Sequence, residues 1–260
     1  MTLVICVVSR GRSNGKTCLI EALTKKFVGE EFRVATVKCI HIDFDTAKKD
    51  TWLHLKTGAT VTAAITPTEI ITIRRSKAPL LDEALGAIYF EADLVLVEGY
   101  EKSPYPKILY TDTALAALAA MKNISNIVMI SGSIVSKAKE REMFTAKFPE
   151  IRVYDLEEMV SAIKEMLVKK VLRSLPGLNC GHCGHDTCLG LAEAILSREA
   201  NREDCEVLST NLATLEVDGI VIPLGKFPQQ ILRGVTMGVL NNLKGVDKHL
   251  KKIKLTIKTE

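Results

Sequence analysis

Aromatic residues are scarce. Tryptophan occurs once in 260 residues, and Phe, Trp and Tyr together make up 5%. That leaves little for the stacked aromatic platforms that hold single-stranded nucleic acid. Charge of one sign is also lacking: 35 Lys and Arg against 31 Asp and Glu give a net +4, too small to argue for nucleic acid. No apolar run approaches the ~20 residues of a membrane-spanning helix. The N-terminal run Leu3–Val8 is too short for the apolar core of a secretory leader, and no small-residue cleavage site follows it. The seven cysteines are odd in number, so a disulfide framework is not expected and a reduced, cytoplasmic location is. Internal repeats and low-complexity segments are absent, and 47% hydrophobic content argues against disorder.

What is present begins with alternation. Leu3–Val8, Arg33–Val37, Thr60–Ile65, Glu69–Ile73, Asp93–Val97, Ile127–Ile130 and Ile151–Tyr154 read as strands. Thr17–Phe27, Leu80–Phe90, Ala114–Met121 and Asp155–Leu172 read as helices. Alternating strands and helices predict an α/β fold, a mostly parallel sheet with helices on both faces. The near-continuous apolar strands agree, because parallel strands are buried on both sides. Ser174-Leu-Pro176-Gly-Leu-Asn179 then ends the pattern. The expected division is 1–173, a cysteine module at 174–210, and a small ββαβ unit at 211–260. In that last unit Asp218-Gly219 would turn Leu215–Val217 into Ile220–Pro223, before a helix Phe227–Leu243 and a strand Ile253–Ile257. Its lysines read as a solvated helix end and a protected edge strand.

The first strand runs into Ser9-Arg-Gly-Arg-Ser-Asn-Gly-Lys-Thr17, and a helix follows. Strand, glycine-containing loop and helix suit phosphate. Backbone N–H groups of Ser13, Asn14 and Gly15 would line the loop, and the helix N-terminus adds partial positive charge. Lys16 would reach the β/γ-phosphates and the Thr17 hydroxyl would ligate Mg²⁺. Arg10 stands where the usual spacing has its first glycine, with Gly11 one residue later. Glu98, ending the strand Asp93–Val97, is placed to hold the magnesium shell or orient a water, since ligand crevices lie outside the carboxyl ends of such strands. No Asn-Lys-x-Asp element follows Ile130; Ser131-Gly-Ser133 stands there, and the base stays open between guanine and adenine.

Between these motifs lie Lys38-Cys-Ile-His41 and Lys49-Asp50-Thr51, then Gly58-Ala59. With Gly15-Lys16-Thr17 before, and Val97-Glu98-Gly99-Tyr100 and Pro106-Lys107-Ile108 after, residues 1 to about 170 resemble the molybdopterin-guanine dinucleotide biosynthesis protein B family, MobB. The resemblance implies a P-loop fold that binds GTP with Mg²⁺, has weak GTPase activity, and assists the partner that attaches GMP to molybdopterin. It assigns phosphate and magnesium roles to Lys16 and Thr17, the acid to Glu98, and nucleotide-binding roles to Lys38 and Asp50 in a polar segment shared with His41 and Thr51.

The remaining cysteines, Cys180, Cys183, Cys188 and Cys205, follow a C-x2-C-x4-C-x16-C spacing, with Leu189–Asp204 reading as a helix between the last two. Four thiolates suit a tetrahedral zinc or an iron–sulfur cube. The single Cys-x2-Cys knuckle, with Gly181 and Gly184 beside it, is similar to the small 4Fe–4S domains of corrinoid iron–sulfur proteins and Rnf-type electron-transfer subunits. That favours 4Fe–4S, with zinc or no metal as alternatives. Cys6, Cys18 and Cys39 are expected in the core. The combined expectation is a cytoplasmic GTP-binding accessory protein of molybdenum or tungsten cofactor synthesis with a resident cluster. Its partner would be a molybdopterin nucleotidyltransferase or a molybdoenzyme, and homodimer formation is left open. The rivals are an iron–sulfur assembly or carrier NTPase and a non-catalytic module switched by nucleotide.

Overall fold

The computed structural model describes residues 2–10, 15–40, 50–76, 80–88, 92–209, 213–217, 220–222, 224, 226–243 and 253–255. Two compact units divide the chain, Met1–Leu167 and Val168–Glu260. Among the described residues, no helix is long and apolar enough to cross a membrane.

The first unit is built on strands β1 (Leu3–Val8), β2 (Val34–Lys38), β5 (Leu94–Glu98), β6 (Lys107–Tyr110) and β7 (Ile127–Ser131). They form one parallel sheet in the order β2-β5-β1-β6-β7. This is the α/β architecture the alternation predicts. Every residue of β1 is buried, as the continuous apolar run requires. Val4, Cys6 and Val8 share a core with Leu81 and Leu85 of α3 (Leu81–Gly86), Ala114 and Ala117 of α4 (Ala114–Met121), and Phe144 of α5 (Ala138–Lys147). Period-2 alternation turns Leu3, Ile5 and Val7 the other way. Helix α1 (Gly15–Gly29) packs on β1, β2 and β5, burying Leu19, Ile20, Leu23 and Phe27. Helix α6 (Leu156–Leu172) pairs with α1 through Glu157–Lys26, and with the residue just past its end through Lys164–Glu30. A separate antiparallel pair, β3 (Val61–Ile65) and β4 (Ile70–Arg74), follows the short helix α2 (Asp50–Lys56).

Some elements differ from the expectation. Strand β6 and helices α2 and α5 carry no clear periodic signal: β6 is four residues opening on a lysine, and α5 buries only Phe144. Ile151–Tyr154 makes a single parallel bridge, Val153 to Ile130, rather than a strand. The extended segment ends at Asp155, whose Oδ1 accepts the Glu158 N–H (2.9 Å) while Glu158 Oε2 accepts the Asp155 N–H (3.1 Å). This reciprocal cap starts α6 at once. Lys107 is fully buried, and its Nζ donates to the carbonyls of Ser103 (2.5 Å) and Tyr105 (3.0 Å), tying down the loop between β5 and β6.

In the second unit, α7 (Cys188–Leu196) stops eight residues before the expected Asp204. Arg198 takes a left-handed φ of 63°, and the N–H groups of Glu199 and Ala200 both turn back to the Ala194 carbonyl, at 2.9 and 3.1 Å. Asn201 then caps a short 3₁₀ turn, Arg202–Asp204, before α8 (Glu206–Ser209). The face of α7 is also shifted: Leu191, Ala192 and Ala194 are buried and Leu189 is exposed. Strands β8 (Leu215–Val217) and β9 (Ile220–Ile222) form the expected antiparallel pair, and α9 (Lys226–Leu240) follows. The expected turn at Asp218-Gly219 lies outside the described residues. Residues 253–255, where a last strand is expected, are irregular, and Thr256 and Ile257 lie outside the described residues.

Candidate functional site

Three adjacent strands end at one level. Val7 of β1 and Lys38 of β2 are both register partners of Glu98 in β5. The carboxylate therefore emerges at the carboxyl edge of the sheet, flanked on both sides. Thr17, in the first turn of α1, donates its hydroxyl to Glu98 Oε2 at 3.1 Å. Lys38 Nζ lies 3.3 Å from the same oxygen, with Glu98 17% exposed and Lys38 57% exposed. Lys16 Nζ donates to the Oγ of buried Ser9 at 2.7 Å. Two hydroxyls, one carboxylate and two ammonium groups thus gather at the N-terminus of a 15-residue helix. The chemistry is complementary: ammonium groups and a helix N-terminus attract phosphate oxygens, and a hydroxyl beside a carboxylate can hold a hydrated divalent cation.

Of the residues assigned from sequence, Gly15, Lys16, Thr17, Lys38 and Glu98 are described in this neighbourhood. Asp50 is placed at the exposed start of α2. Ser13, Asn14 and His41 lie outside the described residues. Ser9 and Tyr110 carry no sequence signal and are found only through the fold. Tyr110, the last residue of β6, lays its ring against Gly15. The cysteines outside the C-x2-C group divide: Cys6 is buried, but Cys18 and Cys39 are exposed, against the core expectation. Cys18 stands in the first turn of α1, on its open side, and Cys39 follows the last residue of β2. Burial pushes the Cys6 thiol above the usual thiol range, an effect that the contact with Ser103 and the nearby Lys107 partly offset. Burial also raises the Tyr100 phenol, reinforced by the adjacent Cys39 thiol.

The second unit has its own centre. Cys180, Cys183, Cys188 and Cys205 line one small pocket, together with Pro176, Leu178 and Leu191. Cys188 and Cys205 belong to an apolar cluster with Val171, Leu175, Leu191 and Val207. Cys183 is half-buried and Cys180 exposed. Asn179 Oδ1 accepts the Cys188 N–H at 2.9 Å, closing the loop across nine residues. Gly181 and Gly184 have φ of +72° and +82° with open space around them, so glycine is needed there for conformation rather than clearance. Among the described residues, no three His, Cys, Asp or Glu side chains converge as ligands of one metal ion. Four thiols around a shared cavity nonetheless fit a thiolate-bound group: the donors are soft, and two are anchored in the core.

Residues 4–132 match the family model described as "Molybdopterin guanine dinucleotide synthesis protein B". The first unit carries a MobB domain. Residues 175–207, which span the four thiols, match a family described as "Putative Fe-S cluster". A molybdopterin-guanine dinucleotide biosynthesis adapter protein of Haemophilus influenzae is 29% identical over 100 residues, 37% of this chain and 56% of that protein. An uncharacterised protein of Methanocaldococcus jannaschii is 44% identical over 41 residues, 16% of this chain and 18% of that one. The chain thus matches little more than half the length of the first of these relatives and less than a fifth of the second. The solved MobB homologue of Bacillus stearothermophilus is 23% identical, with a TM-score of 0.44, over 64% of this chain and 98% of that one.

Proposed function

We propose that the MobB domain binds a magnesium nucleoside triphosphate, GTP, through a P-loop. In this reading the chain acts in the cytoplasm as an adapter in attaching guanine nucleotide to molybdopterin. The observation that carries this reading is the convergence on Glu98: Thr17 and Lys38 both address its Oε2, while Lys16 stands one residue away on the same helix start. Lys16 would leave Ser9 for the β/γ-phosphate oxygens. Thr17 and Glu98 would hold the magnesium, which neutralises charge on the phosphates when bound. Glu98 also accepts from the water that attacks. Hydrolysis is expected to be weak, because the same carboxylate oxygen is engaged by Thr17 and Lys38. Partners of this adapter would be a molybdopterin nucleotidyltransferase or the molybdoenzyme that receives the cofactor.

Cys180, Cys183, Cys188 and Cys205 would hold a 4Fe–4S cluster, which supplies one-electron chemistry when bound. The burial of Cys188 and Cys205 in the module's apolar cluster supports a resident cluster over one passed on as cargo, since removing it would open that small core. Calorimetry tests the nucleotide reading. The chain should bind Mg-GTP, and Lys16→Ala should weaken binding by about tenfold or more, a charge-assisted contact being worth ~1.5–3 kcal/mol. Equal affinities overturn it.

A further inference from the structure

Two of the four thiols in the second unit sit in its core, and two sit on a loop with no core of its own. Cys188 and Cys205 are buried in the apolar cluster. Cys180 and Cys183 lie on the segment 180–187, where every residue is exposed except Cys183 and His185, which are half-buried. A segment without buried apolar groups has little to fix its place. Its internal holds are local: the Gly184 N–H donates to the Gly181 carbonyl at 3.0 Å, and the Cys183 thiol lies 3.9 Å from the His185 carbonyl oxygen. His182 Nδ1 lies 3.4 Å from Glu206 Oε2 of α8, but both side chains are more than half exposed, and such a pair adds little. A group bound by four thiolates needs all four within reach of one centre. The loop thiols therefore need a tie to the two that the core fixes.

Asn179 is placed to supply it. It immediately precedes Cys180, and its Oδ1 accepts the N–H of Cys188, the first residue of α7, at 2.9 Å. That N–H is one of the donors a helix start leaves without an intrahelical partner. The N-cap residue, Thr187, takes a different one, on Gly190, at 3.0 Å. The Thr187 bond is local. The Asn179 bond joins the residue before the first loop thiol to the residue that carries a buried one. The backbone of Asn179 is left-handed, with φ 47°. Asparagine tolerates that conformation better than most residues with a Cβ. Glycine tolerates it too but has no side-chain oxygen to offer. Aspartate would offer the oxygen but would add a charge beside as many as four thiolates. Backbone, acceptor and neutrality together suit asparagine.

We propose that Asn179 is a positioning residue of the cysteine centre, holding the loop so that the Cys180 and Cys183 thiols face those of Cys188 and Cys205. The proposal rests on the reading of the four thiols as ligands and adds to it the residue that brings them together. Asn179 acts through the Cys188 backbone, not as a ligand.

The test uses the full chain with Asn179→Gly and Asn179→Asp. Glycine accepts the backbone angle but lacks the acceptor. Aspartate keeps both and adds a charge. The first measurement is an anaerobic titration of the metal-free chain with Co²⁺, whose visible spectrum reports tetrahedral thiolate ligands. Asn179→Gly should weaken that binding roughly three- to tenfold, the worth of one hydrogen bond, while Asn179→Asp should bind at least as tightly as the parent. The second is iron loss from anaerobically purified protein to excess chelator. It should quicken by a similar factor in Asn179→Gly and stay at the parent rate in Asn179→Asp. The third is the midpoint potential, which should fall in Asn179→Asp, because net charge helps to set it. A role confined to fold stability would leave that potential unmoved. Thermal unfolding of the metal-free chain checks that Asn179→Gly folds; should it not, Asn179→Asp still carries the test through its potential. Equal Co²⁺ affinity and equal iron loss in Asn179→Gly, or an unmoved potential in Asn179→Asp, would overturn the positioning role. A parent chain without iron or sulfide whose Co²⁺ binding still depends on Asn179 would overturn the cluster and leave the positioning role standing.

Discussion

Gly15 and Tyr110 occupy a space that only glycine leaves open. A Cβ on Gly15 would lie 2.0 Å from Tyr110 Cζ, 2.3 Å from Cε1 and 2.4 Å from the phenol oxygen. Gly15 has no left-handed φ, so its requirement is clearance, not conformation. The obstacle is the far end of a side chain, and an open cleft lined by both residues gives it somewhere to go. Gly15→Ala should therefore fold but push the ring into the cleft, weakening nucleotide binding by roughly tenfold, the scale of a 1–3 kcal/mol overpacking cost. Gly15→Ala combined with Tyr110→Ala should recover most of the loss seen in Gly15→Ala. Titration of the single and double variants decides this: no recovery in the double variant means that the methyl acts on something other than Tyr110.

Glu98 should separate binding from turnover. Glu98→Gln keeps an oxygen that accepts the Thr17 hydroxyl but removes the charge facing Lys38, the charge that would also face a bound magnesium. Turnover is expected to fall about tenfold or more, with GTP affinity changed less than about threefold. Lys38 is more than half exposed, so its ion pair adds at most about 1 kcal/mol of stability, and Lys38→Met should shift the melting temperature by only a few degrees. Single-turnover assays and thermal melts measure both. Unchanged turnover in Glu98→Gln would reduce this residue to a strand-end charge.

Cys6 gives a pH dependence whose sign is fixed. Its folded-state thiol titrates above the ordinary range because burial disfavours the thiolate. Above the unfolded value of about 8.5, the unfolded chain releases a proton that the folded chain keeps. The stabilisation is thus complete below that pH and is lost as pH rises toward the folded value. The slope is at most about 1.4 kcal/mol per pH unit for one group. Urea unfolding of Cys6→Ala between pH 7.5 and 9.5 should show a shallower decline than the unsubstituted chain. Identical slopes would mean that Cys6 ionises alike in both states.

The sheet is legible in the sequence because its strands are buried on both faces. Leu3–Val8 and Leu94–Val97 are unbroken apolar runs, and no other assignment buries them. Lys107–Tyr110 is not legible, since a buried lysine opens it and its reason for burial, the Ser103 and Tyr105 carbonyls, is tertiary. The same division holds at the site. Lys16, Thr17 and Glu98 have recognisable local contexts: a loop before a helix, and a strand end. Tyr110 meets Gly15 across 95 residues of sequence. Strand order brings those groups together, and no local pattern encodes it. The early stop of α7 was hidden for a different reason. A left-handed arginine at position 198 is unfavourable by itself, and it is held by the two N–H groups that return to Ala194.

The four thiols should behave as one unit with the fold of their module. Cys188 and Cys205 are 8% and 4% exposed, and both pack with Leu191 and Val207, whereas Cys180 is exposed at the cavity's mouth. Anaerobically purified protein should be brown, with about four irons and four sulfides per chain. Cys205→Ser should bleach it and loosen α7 and α8 together, because the substitution removes a ligand and places a hydroxyl in an apolar cluster. Cys180→Ser removes a ligand without touching that cluster, so it should bleach the protein while leaving the helices more protected than Cys205→Ser does. Iron and sulfide analysis with hydrogen exchange over 188–209 reads both effects, and Mg-GTP titration of the bleached variants should match the parent. Stoichiometric zinc without sulfide, from iron-replete cells handled without oxygen, would replace the redox role with a structural one. Loss of GTP binding on bleaching would show that the cysteine centre and the nucleotide site are thermodynamically coupled.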